Sequence, residues 1–474
     1  MTGPLITRIA RKEFTEFVRD GRSRWAAVIV GLLLGVSLLA GWSHVTAVAA
    51  EHEEARQATR TQWLKQPPKN PHSAAHYGVF AFKPQSALAM VDSGVDPYVG
   101  VAALLEAHRQ NDFKYKPAVD RTAVQRFGDF TPALVMQVLM PLMIVLLAFG
   151  AFVGEREDGV WRQVLASGVS PRTVLAGKAL GVAAGLGLIC APAAVLAAVL
   201  VSSAGPGVSI GADIGRIAAV SAVYLVWCAV WLSATFLVSA RARSSRQALV
   251  VLLGLWMFAT LMAPRLAGDF AAWWHPTPTA AEFQQALDAD LTDTTARNAR
   301  MAAKRAAVLA EYGVSTVEDL PINYSGVSLQ EGEEFANDAF DVHFGRLYDT
   351  FERQNRVAHL ASVVAPSLAL RSVSMGLSGT DFQQHRDFVT AAEEYRRDMQ
   401  RRLNGDVALH QKPGETYLAD DTLWASVPDF AYEPRPVGAV VQQQTLPLLV
   451  LVGWMVLLMF GAAVSVGRST EVVR

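Results

Sequence analysis

Six apolar runs, at 25–46, 133–153, 174–201, 217–239, 248–266 and 446–466, each reach the length a helix needs to cross a bilayer. A hydrocarbon core of ~30 Å takes about 20 residues, because a helix rises ~1.5 Å per residue and satisfies its own backbone hydrogen bonds. Charges occur only at the edges of these runs, as with Lys178 and Arg216. Only 18% of the 474 residues are charged, against about 25% in a soluble chain. The chain is therefore read as a multi-pass membrane protein.

Lys and Arg in the short connections set the orientation. Arg8, Arg11, Lys12, Arg19, Arg22 and Arg24 precede the first run, and Arg156, Arg162, Arg172 and Lys178 follow the second. Arg241, Arg243 and Arg246 follow the fourth, and Arg468 and Arg474 follow the last, whereas residues 202–213 hold no Lys or Arg. Both termini are expected in the cytoplasm. A signal peptide would have a shorter apolar run, and its removal would leave five spans, so an uncleaved anchor is expected. The organisation that follows is a cytoplasmic amphipathic helix at 1–24, a first span at 25–47, an outer insertion at 48–130, spans two to five within 131–266, a second outer insertion at 267–445, a sixth span at 446–467 and a cytoplasmic tail at 468–474. In the leading helix, Leu5, Ile6, Ile9, Phe14, Phe17 and Val18 share one face, as in a helix lying in the membrane interface.

The two insertions make up more than half of the chain, and their shared bilayer face predicts that they pack together. Helical periodicity runs through 280–312, 332–364 and 380–403, with a strand or two expected within 416–436. Cys190 and Cys228 both fall within apolar runs, so no disulfide framework is expected outside the membrane.

Between spans two and three the chain reads Glu155-Arg156-Glu157-Asp158-Gly159-Val160-Trp161-Arg162 and continues through Leu165, Ser170, Arg172, Gly177 and Lys178. The charges keep a short helix at the surface, and Val160, Trp161, Val164 and Leu165 are expected to offer an apolar face to a partner's groove. Together with the amphipathic leading helix and six spans, this motif resembles the permease of an ABC-2 type exporter. The resemblance implies a coupling helix at 155–170 that docks on an ATPase, carried by Glu155, Arg156, Glu157, Gly159, Arg162, Arg172 and Lys178. Val160 stands where Thr or Ser is common in that family, and Gly168 where Pro often sits. His76-Tyr-Gly-Val-Phe-Ala-Phe-Lys-Pro84, Leu105-Glu-Ala-His-Arg-Gln-Asn111 and Leu377-Ser-Gly-Thr-Asp381, with His385, Phe388, Tyr395 and Arg396, resemble the subgroup with two large periplasmic insertions, the DUF3526 group. The fold so implied is mostly α, a six-helix transmembrane bundle of ABC-2 exporter type carrying a mainly helical periplasmic domain. The resemblance also implies a multi-pass protein of the bacterial inner membrane. Its partners would be an ABC ATPase subunit, a second permease in a homo- or heterodimer, membrane lipid and a periplasmic or outer-membrane protein; no nucleic acid is expected.

Other chemistries find little footing. A phosphate-binding loop needs Gly-x-x-x-x-Gly-Lys-Ser/Thr, but Gly177-Lys178 is followed by Ala179, and Arg172 stands where the first Gly belongs. ATP and magnesium therefore belong to the partner ATPase, and no cofactor is expected in this chain. An ion-coupled carrier would place charged residues within the membrane, and the interiors of the runs have no Asp, Glu, Lys or Arg. Gly207-Val-Ser-Ile-Gly211 spells a hydrolase elbow, but in a loop between membrane helices rather than on an α/β sheet. His72 and His76 have the i, i+4 spacing of metal ligands. With no base or thiolate beside them, hydrogen-bonding histidines are expected there instead. Asp381 and His385 share a helix face behind Thr380, a candidate N-cap; local architecture is expected first, and contact with a substrate or periplasmic partner second. Gly177, Gly181 and Gly185 recur every four residues and suit close packing, either against another span of the same subunit or at a dimer seam. Two functions stay open: transport of a solute, and ATP-driven mechanical work on an outer partner. A continuous cavity lined by spans two and five would mark the first, and a closed seam the second.

Overall fold

The first span does not stop at the membrane boundary. In the computed structural model, which describes residues 2–111, 130–203, 210–412 and 415–468, it is one helix of 44 residues, Gly21–Leu64, about 66 Å long at ~1.5 Å per residue. Asp20 caps its start by accepting from Ser23 N at 2.9 Å. Beyond Glu51 the sequence turns polar but holds no Gly or Pro to end the helix. It leaves the apolar zone as a mast, and its last turns carry the outer domain. Trp63 Nε1 donates to Trp424 O at 2.9 Å, and Arg60 donates to Val427 O at 2.8 Å.

Six helices are long and apolar enough to cross a membrane: Gly21–Leu64, Pro132–Glu157, Pro171–Ser202, Ile214–Arg241, Ser245–Trp274 and Thr445–Arg468. The fourth is the centre of the bundle, packed against the second and the sixth, with Trp227, Trp231 and Phe236 buried. Spans two and five each contain a π-helical segment, Val135–Leu139 and Phe258–Met262, followed within two residues by Pro141 and Pro264. Proline lacks an N–H and crowds the carbonyl four residues back, and a widened turn relieves both. Carbonyls of these segments bond to neighbours, as backbone in a membrane must. Val138 O accepts from Trp256 Nε1 at 2.9 Å, and Ala259 O accepts from Ser367 Oγ.

At the other end of the molecule the two insertions form one domain, as expected from their shared bilayer face. The long helices Tyr324–Ala361 and Phe382–His410 lie side by side. Trp63, Val79, Leu105, Phe388, Leu403 and Trp424 share its core, so both insertions contribute. The stretch 280–312 is two helices, Ala280–Leu291 and Thr294–Tyr312, because Asp293 starts a new helix by accepting from Thr295 N and Ala296 N. The strands are not where they were expected. A three-stranded antiparallel sheet, β1 (Val79–Phe82), β2 (Ala102–Glu106) and β3 (Arg109–Gln110), lies in the first insertion. Val79 pairs with Leu105 and Phe82 with Ala102. In β1, alternate residues Val79 and Ala81 are buried, the period-two pattern of a half-buried strand. Residues 416–436 have three prolines and contribute one isolated bridge, Lys69 to Ala419.

One helix, Pro366–Ser378, was not foreseen. Its residues Ala369, Leu370, Val373 and Leu377 belong to the hydrophobic core of the membrane bundle. It wedges between spans four and six at their outer ends. Arg216 at the start of span four donates to Leu377 O at 3.1 Å and to Arg435 O. Asp92, Ser374, Tyr224 and Gln137 form a chain of hydrogen bonds from the outer domain to spans four and two. Domain and bundle are one packed body at this junction.

Candidate coupling site between spans two and three

The turn that ends span two is stapled to its neighbours at three points. Phe152 N and Val153 N donate to Ser239 Oγ at 3.0 and 3.3 Å. The short helix Val153–Glu157 follows. From it Arg156 donates to Ser239 O at 2.9 Å, to Ala242 O at 2.7 Å and to Ala240 O. These carbonyls end span four, where the last turn of a helix has no intrahelical donors and a negative dipole end. Glu157 does the opposite for span five, accepting from Ser245 N at 3.0 Å and from Ser245 Oγ. One turn of helix thus caps the end of one span and the start of the next.

Gly159 then takes a left-handed conformation, φ +74°, which glycine adopts without steric cost. A second short helix, Val160–Ala166, doubles back. The segment is therefore a helix-turn-helix elbow rather than the single helix expected over 155–170. Its apolar face is also used differently. Trp161 is buried against Phe152, edge to face at 5.8 Å, and Val164 and Leu165 are half-buried against the bundle. The chain's own spans take up all of the apolar face that the sequence assigned to a partner except Val160. Exposed to solvent are Asp158, Val160, Arg162, Gln163 and Arg172. Gly168, φ +78°, ends the elbow, and Ser170 caps span three ahead of Pro171.

Lys178 lies two turns into span three and is only 3% exposed. Its Nζ is 2.8 Å from Glu155 Oε1 in the elbow and 2.8 Å from Glu13 Oε1 in the leading helix Thr2–Arg19. A buried ammonium is tolerated when paired, and here two carboxylates from separate elements pair it. The leading helix reaches this point because span three has glycines facing it. A Cβ on Gly177 would come within 2.5 Å of Ile9, one on Gly181 within 2.5 Å of Glu13, and one on Gly185 within 3.0 Å of the Phe17 ring. The glycine stripe thus receives the chain's own leading helix, rather than another span as one of the two readings expected. Ile6, Ile9, Ala10, Glu13 and Phe17 form the packed face, and Val18 is exposed.

At the far end, Asp381 caps the Phe382–His410 helix itself, accepting from Gln384 N at 3.0 Å, while Thr380 bonds to Asp92 O. Burial raises the Asp381 carboxyl above its ordinary range against the lowering effect of Gln384. His385 is buried beside Phe382. A cavity of about 240 Å³ within the bundle is bounded by spans one to four, with Leu38, Met136, Ala194 and Tyr224 in its wall, rather than by spans two and five. The Gly207–Gly211 motif has its Gly207, Val208 and Ser209 outside the described residues. The buried meeting of Lys178 with Glu13 has no signature in the sequence, because 165 residues separate them.

Comparison with known families agrees with this arrangement. A family model described as ABC-2 family transporter protein matches residues 7–295, more than half of the chain, and a second, a domain of unknown function designated DUF3526, matches 280–433. No match was found among curated proteins. The first match runs from the leading helix through the elbow, the glycine stripe and span five into the outer-domain helix Ala280–Leu291, and the second covers the remaining helices of the second insertion up to residue 433. With six spans and an elbow that ties three of them together, this chain belongs to the ABC-2 family of transporter proteins and carries a DUF3526 domain.

Proposed function

We propose that the chain is the permease subunit of an ABC transporter, driven by a separate ATPase that docks on the exposed face of the elbow. The supporting observation is the Lys178 strut: a push on the elbow at Glu155 reaches span three and the leading helix through one buried ammonium. Arg156 and Glu157 carry the same push to spans four and five. The contact face is Asp158, Arg162 and Arg172, which have no such internal duties and are exposed. The basic short segments put this face and both termini in the cytoplasm, and the outer domain in the periplasm. ATP and magnesium stay on the partner, since no phosphate-binding loop exists here. The outer domain then receives the motion of the bundle through Arg216 and the Pro366–Ser378 helix, to export a substrate or to act on it outside.

A photo-crosslinking amino acid in place of Arg162, activated in intact cells, tests the docking. The expected adduct joins this chain to a protein containing Gly-x-x-x-x-Gly-Lys-Ser/Thr. Adducts with lipid alone would refute the docking. Charge reversal at Glu155 or Glu157 is the weaker test, because it breaks contacts inside the chain itself.

A further inference from the structure

A group of three histidines lies on the outer domain, far from the elbow. His72 belongs to the short helix Pro71–Ala75, His76 ends that helix, and His108 forms the turn between β2 and β3. Sequence spacing shows only the first pair. The hairpin brings the third ring in, with centroids 5.1 Å from His72 and 4.9 Å from His76. One ring nitrogen from each histidine lies within 4.8 Å of the other two. Zinc–imidazole bonds of ~2.0 Å at tetrahedral angles put the nitrogens ~3.3 Å apart, so small ring rotations close the set on an ion.

The surroundings orient the rings for this. His72 Nδ1 is 2.9 Å from Asn404 Oδ1, and Asn404 Nδ2 is occupied by Gln330 Oε1 at 3.1 Å. The amide oxygen therefore faces the ring, Nδ1 carries the proton, and the Nε2 lone pair is left to bind. His108 Nδ1 lies 2.5 Å from Glu333 Oε1, a carboxylate with no solvent exposure, whose Oε2 accepts from His108 N at 3.1 Å. A carboxylate or amide behind the imidazole is the usual support of a metal-binding histidine. Among described non-glycine residues, His108 alone has a positive φ, +64°, a strained conformation of the kind held where function requires it. His76 and His108 are exposed, which leaves a fourth coordination position facing solvent.

We propose that His72, His76 and His108 bind one divalent transition cation of the zinc class, with Glu333 and Asn404 as positioning residues. Three imidazoles without thiolate favour a borderline ion over calcium or magnesium. The ion joins the hairpin to the short helix of the first insertion, and its ligands His72 and His108 lean on Asn404 and Glu333 of the two long helices of the second. Its open position takes water or an oxygen or nitrogen donor from a ligand at the domain surface.

The test uses the full chain in detergent, carrying an affinity tag without histidine, stripped by chelator and titrated with Zn²⁺ by calorimetry. One ion per chain is expected, with X-ray absorption showing three imidazole nitrogens and a thermal midpoint raised by the metal. Replacing the exposed ligand, His76→Gln, leaves the metal-free midpoint unchanged, removes the metal-dependent rise and weakens binding at least about tenfold. Glu333→Gln weakens it by about 10–100-fold. Failure to bind, or equal binding by wild type and His76→Gln, would overturn the site.

Discussion

Lys178 illustrates what a single side chain does in this protein. Lys178→Met leaves Glu13 and Glu155 without their shared buried cation, with only the exposed Lys12 at 3.5 Å from Glu13, and breaking a buried pair on one side typically costs about 3–5 kcal/mol. A clear fall in the thermal midpoint in detergent is expected, with partial recovery when Glu13→Gln and Glu155→Gln are added. Equal midpoints for the single variant and wild type would remove the strut. Asp92 is a contrasting case. Burial raises its carboxyl pKa, opposed by bonds from Ser374 and Gly94 N. A raised carboxyl favours the folded state fully only below its unfolded-state pKa, and that contribution is lost as pH rises from there through the folded-state pKa. Asp92→Asn is therefore expected to be as stable as wild type or more so at pH 8, and relatively less favoured near pH 4, in melts across that range. The sequence identified Glu155 and Lys178 as a matched motif, but their partners stand far off in the chain, so the roles of Glu13, Ser239 and Ser245 became visible only in the fold.

Among the elements, the leading helix and the elbow carry the interest. The glycine stripe was legible as a packing surface, since small residues every four positions have few other uses, but the identity of its partner was not. Gly181→Val places methyl groups where Glu13 Cβ and Ala10 O already lie, and overpacking of this kind costs about 1–3 kcal/mol. The variant is expected to free the leading helix, read as faster proteolysis near Arg11 and Arg19 and loss of an Ala10-to-span-three cysteine crosslink. An unchanged crosslink yield would argue against the packing. The elbow divides in the same way: its charges and Gly159 were visible in order, but the inward turn of Trp161 was not. An apolar residue on a short surface helix reads alike whether it faces a partner or the chain's own bundle. The strands were missed because β1 is four residues long, too short for a periodic signal to stand out, and Pro366–Ser378 because nothing in its mix of serines and aliphatic residues shows that both faces are buried.

Over the whole molecule, membrane class and span count were set by hydropathy alone, and all six runs became helices. The outer domain was legible as helical and as one unit, but its attachment was not. Arg216, the Pro366–Ser378 helix and the mast of the first span each connect distant parts of the sequence. Through them, motion at the elbow can reach the outer domain without a soft linker between the two. Severing the Arg216 clamp with Arg216→Ala is expected to leave ATPase association intact while lowering substrate-stimulated ATP turnover.

Association itself is best read from the double variant Arg162→Glu, Arg172→Glu, co-expressed with the partner ATPase and purified from membranes. The expected result is a chain that inserts and melts like wild type but recovers about tenfold less ATPase, a loss of ~1.4 kcal/mol in binding. Full recovery of the ATPase, with undiminished ATP turnover, would contradict a coupling surface at the elbow.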